Sequence, residues 1–109
     1  MEFATLARRA QRVRELYSEV ERKTYGESWT AKDIALGFVG DVGDLAKLVL
    51  AKEGVRNFSD MDAKLAHELA DCLWSVLVLA RLHEVDLEAA FLKTMDQLEA
   101  RIQVQLQGN

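Results

Sequence analysis

Proline is absent from this 109-residue chain, and cysteine occurs only once. Without proline, no residue interrupts a helix by lacking a backbone donor, and the many Ala, Leu, Glu, Arg and Lys residues favour helices joined by short turns. Clean alternation of polar and apolar residues, the mark of a strand, is also missing. We therefore predict a single all-α domain over residues 1–109. The lone Cys72 excludes an internal disulfide, and we interpret it as a small core residue.

The chain also has no excess of positive charge. The net charge of −4 argues against nucleic acid as the main partner. One basic patch lies on the first predicted helix and consists of Arg8, Arg9, Arg12 and Arg14. We interpret it as a solvated helix face whose arginines pair with acids of the same helix, namely Glu15, Glu19 and Glu21.

Long hydrophobic runs are also missing. The longest extends from Leu69 to Ala80, is interrupted by Asp71 and Ser75, and is too short to span a bilayer. The N-terminus lacks the apolar core of a signal peptide. Together with the single cysteine, these features predict a cytoplasmic protein that does not bind membranes.

Apolar residues recur at helical spacing in four segments, and capping residues mark their ends. The predicted helices are 2–23, 31–52, 60–83 and 87–105, with Thr30, Ser59 and Asp86 as N-caps of the last three. Asp33 completes a capping box with Thr30. Short turns between the helices favour an antiparallel four-helix bundle. Because the third helix is apolar nearly all round from Leu69 to Ala80, we expect it to contact a second subunit, in a homodimer or homotetramer.

Four carboxylates are placed unusually in this pattern. Asp41 and Asp44, and then Glu68 and Asp71, form two i,i+3 pairs inside otherwise apolar helical stretches. A carboxylate removed from water without a partner costs several kcal/mol. Two pairs on adjacent antiparallel helices can face each other and enclose one or two divalent cations. Oxygen ligands without imidazole favour Mg²⁺, with Mn²⁺ as the second choice.

Other interpretations of these helices stay open. Glycines at three-residue intervals beside the first acid pair, Gly37, Gly40 and Gly43, could admit either a close-packed helix or a ligand. The four acids could instead form ordinary salt bridges to lysines such as Lys47 and Lys64. A di-iron site is disfavoured because neither helix offers a Glu-x-x-His motif. His67 and His83 are interpreted as surface residues.

The two acidic motifs, DVGD at 41–44 and ELAD at 68–71, have distinctive surroundings. They lie in VGDVGDLAK and ELADCLW, with Trp29 before the second helix and VDLEAAFLK at the start of the fourth. Over about residues 29–93 the chain resembles the MazG-like, all-α nucleoside triphosphate pyrophosphohydrolases, whose motifs are ExxE followed by ExxD. The branch that includes the dCTP pyrophosphatases is the most similar.

This resemblance implies a function. Asp41, Asp44, Glu68 and Asp71 would be both metal ligands and catalytic residues, holding the Mg²⁺ that binds a triphosphate. Water would attack phosphorus, releasing a nucleoside monophosphate and pyrophosphate, and one of these acids would accept the proton. Clearing of the nucleotide pool is the role implied. Trp29 would line the base pocket, although it could equally anchor the connector between the first two helices.

The remaining substrate-binding candidates are also implied by the resemblance. Ser75 stands where the closest branch often has a base-contacting tyrosine. On the fourth helix, Thr94 and Leu98 replace the family's lysine and asparagine, which leaves Lys93, one position away, and Arg101. These departures support one alternative to the enzyme, a catalytically weak nucleotide- and metal-binding or regulatory module. Another alternative is a plain oligomeric scaffold, in which the acids form ordinary salt bridges.

Overall fold

The computed structural model of the chain describes residues 2–54 and 60–108. They form four α-helices: α1 (Phe3–Tyr25), α2 (Ala31–Glu53), α3 (Met61–Leu82) and α4 (Leu87–Gln107). The described residues contain no strand. The prediction of an all-α, four-helix fold is confirmed, and each predicted helix limit agrees with the structure to within a residue or two.

The helix ends follow the capping chemistry of the sequence. Thr30 and Asp33 form the predicted capping box: the backbone N–H of Thr30 donates to Asp33 Oδ2 at 2.8 Å, and the N–H of Asp33 donates to Thr30 Oγ1 at 3.5 Å. Asp86 caps α4 by accepting from the Ala89 N–H at 3.1 Å. At the start of α3 the N-cap position belongs to Asp60, while the predicted cap, Ser59, lies outside the described residues.

α2 and α3 form an antiparallel hairpin, with α1 packed on α3. The direction follows from the pairing, because Lys52 at the end of α2 forms an ion pair with Asp62 at the start of α3. The most buried apolar side chains of the described residues are Ala10, Ile34, Met61, Leu77 and Val78. The inner face of α2 keeps the predicted spacing, with Ile34, Phe38, Asp41, Leu45 and Leu48 all buried or half-buried. Helical periodicity therefore places one of the acids among core positions.

α4 contacts the other three helices only sparsely and has no buried residue. Its apolar side chains remain open to solvent, with Phe91 57% and Ile102 50% exposed. The radius of gyration is 17.7 Å, compared with about 13 Å for a compact domain of similar length. A single chain thus leaves the apolar face of its last helix uncovered.

One prediction for α1 is wrong. Arg14 and Glu21 do pair with each other, but they are 5% and 4% exposed rather than part of a solvated face. The network that buries them includes the connector between α1 and α2, which folds back over this side of the helix. The pair between Arg12 and Glu15 does lie at the surface, as expected. Within the described ranges, no helix combines the length and apolarity needed to cross a membrane.

Candidate functional site

The antiparallel hairpin brings acids of α2 and α3 together. Asp41, Asp44 and Glu68 each place one carboxylate oxygen so that all three lie within 4.8 Å of one another. Asp41 and Glu68 are half-buried, whereas Asp44 is exposed. The group of Asp41, Asp44 and Glu68, called here the acid cluster, therefore opens to solvent on one side, where a ligand can approach.

Asp71 lies beside the acid cluster. Its Oδ2 is 3.1 Å from Nε2 of His67, one turn earlier on α3, and its negative charge still raises the pKa of Asp41. His67 is at the surface, as predicted, but its proximity to the acids was not predicted. The i,i+4 spacing from His67 to Asp71 was the signal available in the sequence.

Negative charge dominates the electrostatics of the acid cluster, and His67 offsets it only in part. Burial raises the pKa of Asp41 above its usual value, and the charges of Asp71 and Asp44 raise it further. The pKa of Glu68 is raised for the same reasons, with burial again the largest cause. Glu68 Oε2 is buried without a hydrogen-bond partner among the described residues. Converging oxygen ligands with an unsatisfied buried oxygen suit a hard divalent cation such as Mg²⁺.

A cavity of about 460 Å³ adjoins the acids. Its walls come from α1, the following connector, α2 and α3, and are formed by Val13, Arg14, Tyr17, Trp29, Asp41, Ala70, Asp71 and Trp74. Tyr17 and Trp74 meet edge to face, with ring centroids 5.8 Å apart and planes at 68°. The indole N–H of Trp74 donates to the Ala10 carbonyl oxygen at 3.1 Å, which fixes that ring. The cavity thus joins an aromatic lining to two carboxylates.

Tyr17 and Trp74 were not predicted as site residues. Tyr17 belongs to the apolar stripe of α1, and nothing in the spacing distinguishes it from its core-forming neighbours. Trp29 lines the cavity, in agreement with the base-pocket expectation, and its connector role is also present because its N–H donates to Glu21 Oε1 at 2.7 Å. Ser75 is only 2% exposed and is not among the cavity-lining residues. The structure places its neighbour Trp74 there instead.

The helix-four candidates are not brought to the acids within one chain. Lys93 and Arg101 are exposed, and the helix that carries them touches the rest of the chain only sparsely. The glycine stripe of α2 also lacks a partner in the described part of the chain, since a Cβ built on Gly37, Gly40 or Gly43 would meet no atom within 4 Å.

Cys72 follows Asp71 on α3 and is half-buried. Burial raises the pKa of its thiol above the usual value, and the negative charges of Asp41 and Glu68 add to the increase. A protonated thiol is a poor nucleophile, so Cys72 is not a candidate nucleophile at this site.

Comparison with known proteins agrees with this geometry. A family model described as the MazG nucleotide pyrophosphohydrolase domain matches residues 4–104, which is nearly the whole chain. The match includes both acid pairs and all four helices. No curated protein and no solved structure matches the chain significantly.

Proposed function

Because the chain belongs to the MazG nucleotide pyrophosphohydrolase family, we propose that it is a Mg²⁺-dependent enzyme that hydrolyses a (deoxy)nucleoside triphosphate to the monophosphate and pyrophosphate. The observation that carries the proposal is the acid cluster, whose oxygens converge within 4.8 Å beside an aromatic cavity. This combination supplies a cation site and a base site at neighbouring positions. The cellular role we infer is removal of unwanted nucleotides in the cytoplasm.

The cavity suits the nucleoside part of such a substrate. Three aromatic side chains, Tyr17, Trp29 and Trp74, line it. Stacking of a base on an aromatic ring is worth about 1–3 kcal/mol in nucleic-acid complexes. A base held by these rings would direct its phosphates past Asp41 and Asp71, which line the same cavity. We propose Trp29 as the base-stacking residue.

The acids supply the cation site. We propose that Asp41, Asp44 and Glu68 hold Mg²⁺, or Mn²⁺ in its place, and that Asp71 completes the ligand set. When bound, such an ion neutralises phosphate oxygen charge and lowers the pKa of water. Glu68 contributes the buried oxygen that otherwise has no partner. The shared negative charge of these residues makes the site dependent on a cation.

The reaction itself requires a proton acceptor. Attack of water forms one P–O bond and breaks the bond to the pyrophosphate leaving group, and the water proton passes to a carboxylate of the same four residues. The contact with His67 orients the Asp71 carboxylate at the edge of the cavity. Cys72, with its raised pKa, takes no part.

We also propose that the active form is a homodimer or homotetramer. The exposed apolar face of α4 and the open glycine stripe of α2 are surfaces that a second copy can cover. Half-exposed leucines on the outer side of α3, Leu69 and Leu73, point to the same conclusion. Assembly is also a route by which Lys93 and Arg101 of one subunit reach phosphates bound in another.

A second candidate function is nucleotide binding or regulation without efficient turnover. It is favoured by one observation: within a chain, Lys93 and Arg101 lie on a helix that is separated from the acid cluster. A site with weak phosphate contacts would bind a nucleotide and metal yet stabilise the transition state poorly.

One assay tests the proposal. Pyrophosphate release is measured over a panel of ribo- and deoxynucleoside triphosphates with Mg²⁺, with Mn²⁺ and with EDTA. Turnover that requires the metal and is lost in Glu68→Gln and Asp71→Asn supports the enzyme. Asp96→Asn, an exposed aspartate of α4, is the matched control and should retain activity. Tight nucleotide binding without product would support the binding module, and neither binding nor turnover would contradict both.

A further inference from the structure

A buried ion pair lies on α1, on the side of the cavity opposite the acid cluster's hairpin. Arg14 Nη1 donates to Glu21 Oε2 at 2.9 Å, and Nη2 donates to Glu21 Oε1 at 2.7 Å. The two residues are 5% and 4% exposed. Desolvation makes such a pair, on balance, no more stabilising than apolar residues of the same size. Stability alone therefore does not explain why the chain has a charged pair here.

The pair reaches beyond its own helix to the connector that follows. Glu21 Oε1 accepts the backbone N–H of Trp29 at 2.7 Å, and Arg14 Nη2 donates to the Trp29 carbonyl oxygen at 3.4 Å. Arg14 Nη2 also donates to Ser28 Oγ at 3.0 Å. The Trp29 N–H is thus bound firmly by Glu21, whereas the Trp29 carbonyl accepts a longer bond from Nη2, whose two hydrogens are shared among three acceptors. Charge-assisted hydrogen bonds of this kind are about twice as strong as neutral ones.

Among the described residues, the hydrogen bonds to the Trp29 backbone come from Arg14 and Glu21 alone. The residue lies between α1 and α2, after the left-handed Gly26, and its side chain is 51% exposed although it lines the cavity. Segments outside helices move more than the elements that they connect, unless hydrogen bonds order them. An exposed aromatic ring on such a segment holds one orientation only if its backbone is fixed.

We propose that Arg14 and Glu21 are positioning residues that hold Trp29 against the cavity and so set the affinity for the base of the nucleotide. The inference rests on the proposed function, because it takes the ligand of the cavity to be a nucleotide. Arg14 borders the cavity but is only 5% exposed, and its Nη1 and Nη2 each donate to Glu21. We therefore assign it a role through Trp29 rather than through the phosphates.

The first test measures KM and kcat in a double-mutant cycle. Arg14→Met/Glu21→Leu replaces the pair with apolar residues of similar volume, and we expect KM to rise about 5- to 100-fold, the range of one base stack, with kcat changed less than about twofold. In a Trp29→Ala background the same double substitution should raise KM hardly any further. Full additivity, or a fall in kcat at constant KM, would overturn the proposal.

Ser18→Ala is the matched control. Ser18 Oγ lies 2.9 Å from Ser28 Oγ at the edge of the same network, but it makes no bond to Trp29. Its KM should equal that of the unmodified protein.

If the double variant does not fold, Arg14→Lys is measured in its place. Lysine keeps the charge opposite Glu21 but cannot bind Glu21 and Trp29 through one planar fork, so KM should rise about threefold. An unchanged KM in Arg14→Lys would count against the proposal.

The second test does not depend on the ligand. Protein labelled with 5-fluorotryptophan has two ¹⁹F resonances, one each from Trp29 and Trp74, which Trp29→Phe assigns. In Arg14→Met/Glu21→Leu or Arg14→Lys the Trp29 resonance should shift and narrow towards that of a free indole, while the Trp74 resonance stays in place. An unmoved Trp29 resonance would overturn the anchoring. Failure of the unmodified protein to bind any nucleotide would instead overturn the proposed function, and the ¹⁹F result would still decide the role of the pair.

Discussion

Asp41→Asn is expected to stabilise the metal-free protein while weakening its response to Mg²⁺. The carboxylates of Asp41 and Asp44 have oxygens within 4.8 Å of each other, with Glu68 in the same group. Two unit charges at about this distance repel by roughly 1 kcal/mol in water and by about 3.5 kcal/mol at an effective dielectric constant of 20. Because Asp44 is exposed to water, its repulsion with Asp41 is close to the lower of these two values, roughly 1 kcal/mol. Relief of about 1 kcal/mol corresponds to an increase in Tm of about 4 °C.

The sign of the pH dependence follows from the raised pKa of Asp41, which burial and the charges of Asp71 and Asp44 produce. A carboxyl group with a higher pKa in the folded state destabilises that state when it ionises. The destabilisation is absent below the ordinary pKa of aspartate and complete above the raised pKa. The advantage of Asp41→Asn should therefore be full at neutral pH and disappear as the pH falls through the raised pKa. High salt should also reduce it, by screening.

Addition of Mg²⁺ should reverse the order of stability. An ion that binds only the folded state at one hundred times its Kd stabilises the unmodified protein by about 2.7 kcal/mol. Asp41→Asn removes a proposed ligand, so its Tm should rise much less.

The measurement is thermal unfolding at fixed protein concentration and low ionic strength, in EDTA and in a Mg²⁺ series, with Asp96→Asn as the control that stays within about 0.5 kcal/mol of the unmodified protein. A less stable Asp41→Asn in EDTA, or equal Mg²⁺ shifts in both proteins, would refute the reasoning.

Three further predictions concern other parts of the molecule. Trp29→Ala should raise KM by about 5- to 100-fold with kcat nearly unchanged, because it removes one base stack; equal loss in kcat would contradict the assignment. Phe91→Asp should convert the proposed oligomer to monomer in light scattering, because it places a charge on the uncovered apolar face of α4; a monomeric unmodified protein would count against the proposed assembly. The hydrogen bonds from Arg14 lower the pKa of Glu21, so its contribution to stability is present above the ordinary glutamate pKa and is lost as the pH falls through the lowered value. The free energy of unfolding, measured in urea between pH 7 and pH 3, should decrease less with falling pH in Arg14→Met/Glu21→Leu than in the unmodified protein.

Local rules predicted most of the fold. Helical spacing of apolar residues and the Thr30–Asp33 box are properties of short segments, so they could be identified without knowledge of the tertiary structure. The convergence of Asp41, Asp44 and Glu68 was also accessible, because two i,i+3 pairs on an antiparallel hairpin can meet in few ways.

The missed features depend on contacts between distant segments. Arg14 and Glu21 lie in a charge-rich stretch that is typical of a solvated face, and their burial results from the connector folding back over α1. Ser75 belongs to a helix that is apolar on almost every side, so its sequence neighbours do not indicate which side faces the cavity. The positions of Lys93 and Arg101 relative to the acids depend on how α4 packs on the other helices, and that contact between distant segments leaves no local pattern in the sequence.

The hairpin of α2 and α3 contributes every acid of the proposed reaction centre, while α1 and its connector contribute Tyr17 and Trp29. The acids and most of the aromatic lining therefore lie in separate stretches of the polypeptide, although Trp74 of α3 also lines the cavity. In the proposed enzyme, substitutions in the N-terminal stretch can change which base is preferred without altering the acids. Relatives that share this hairpin can accordingly diverge in specificity through a handful of substitutions upstream of it.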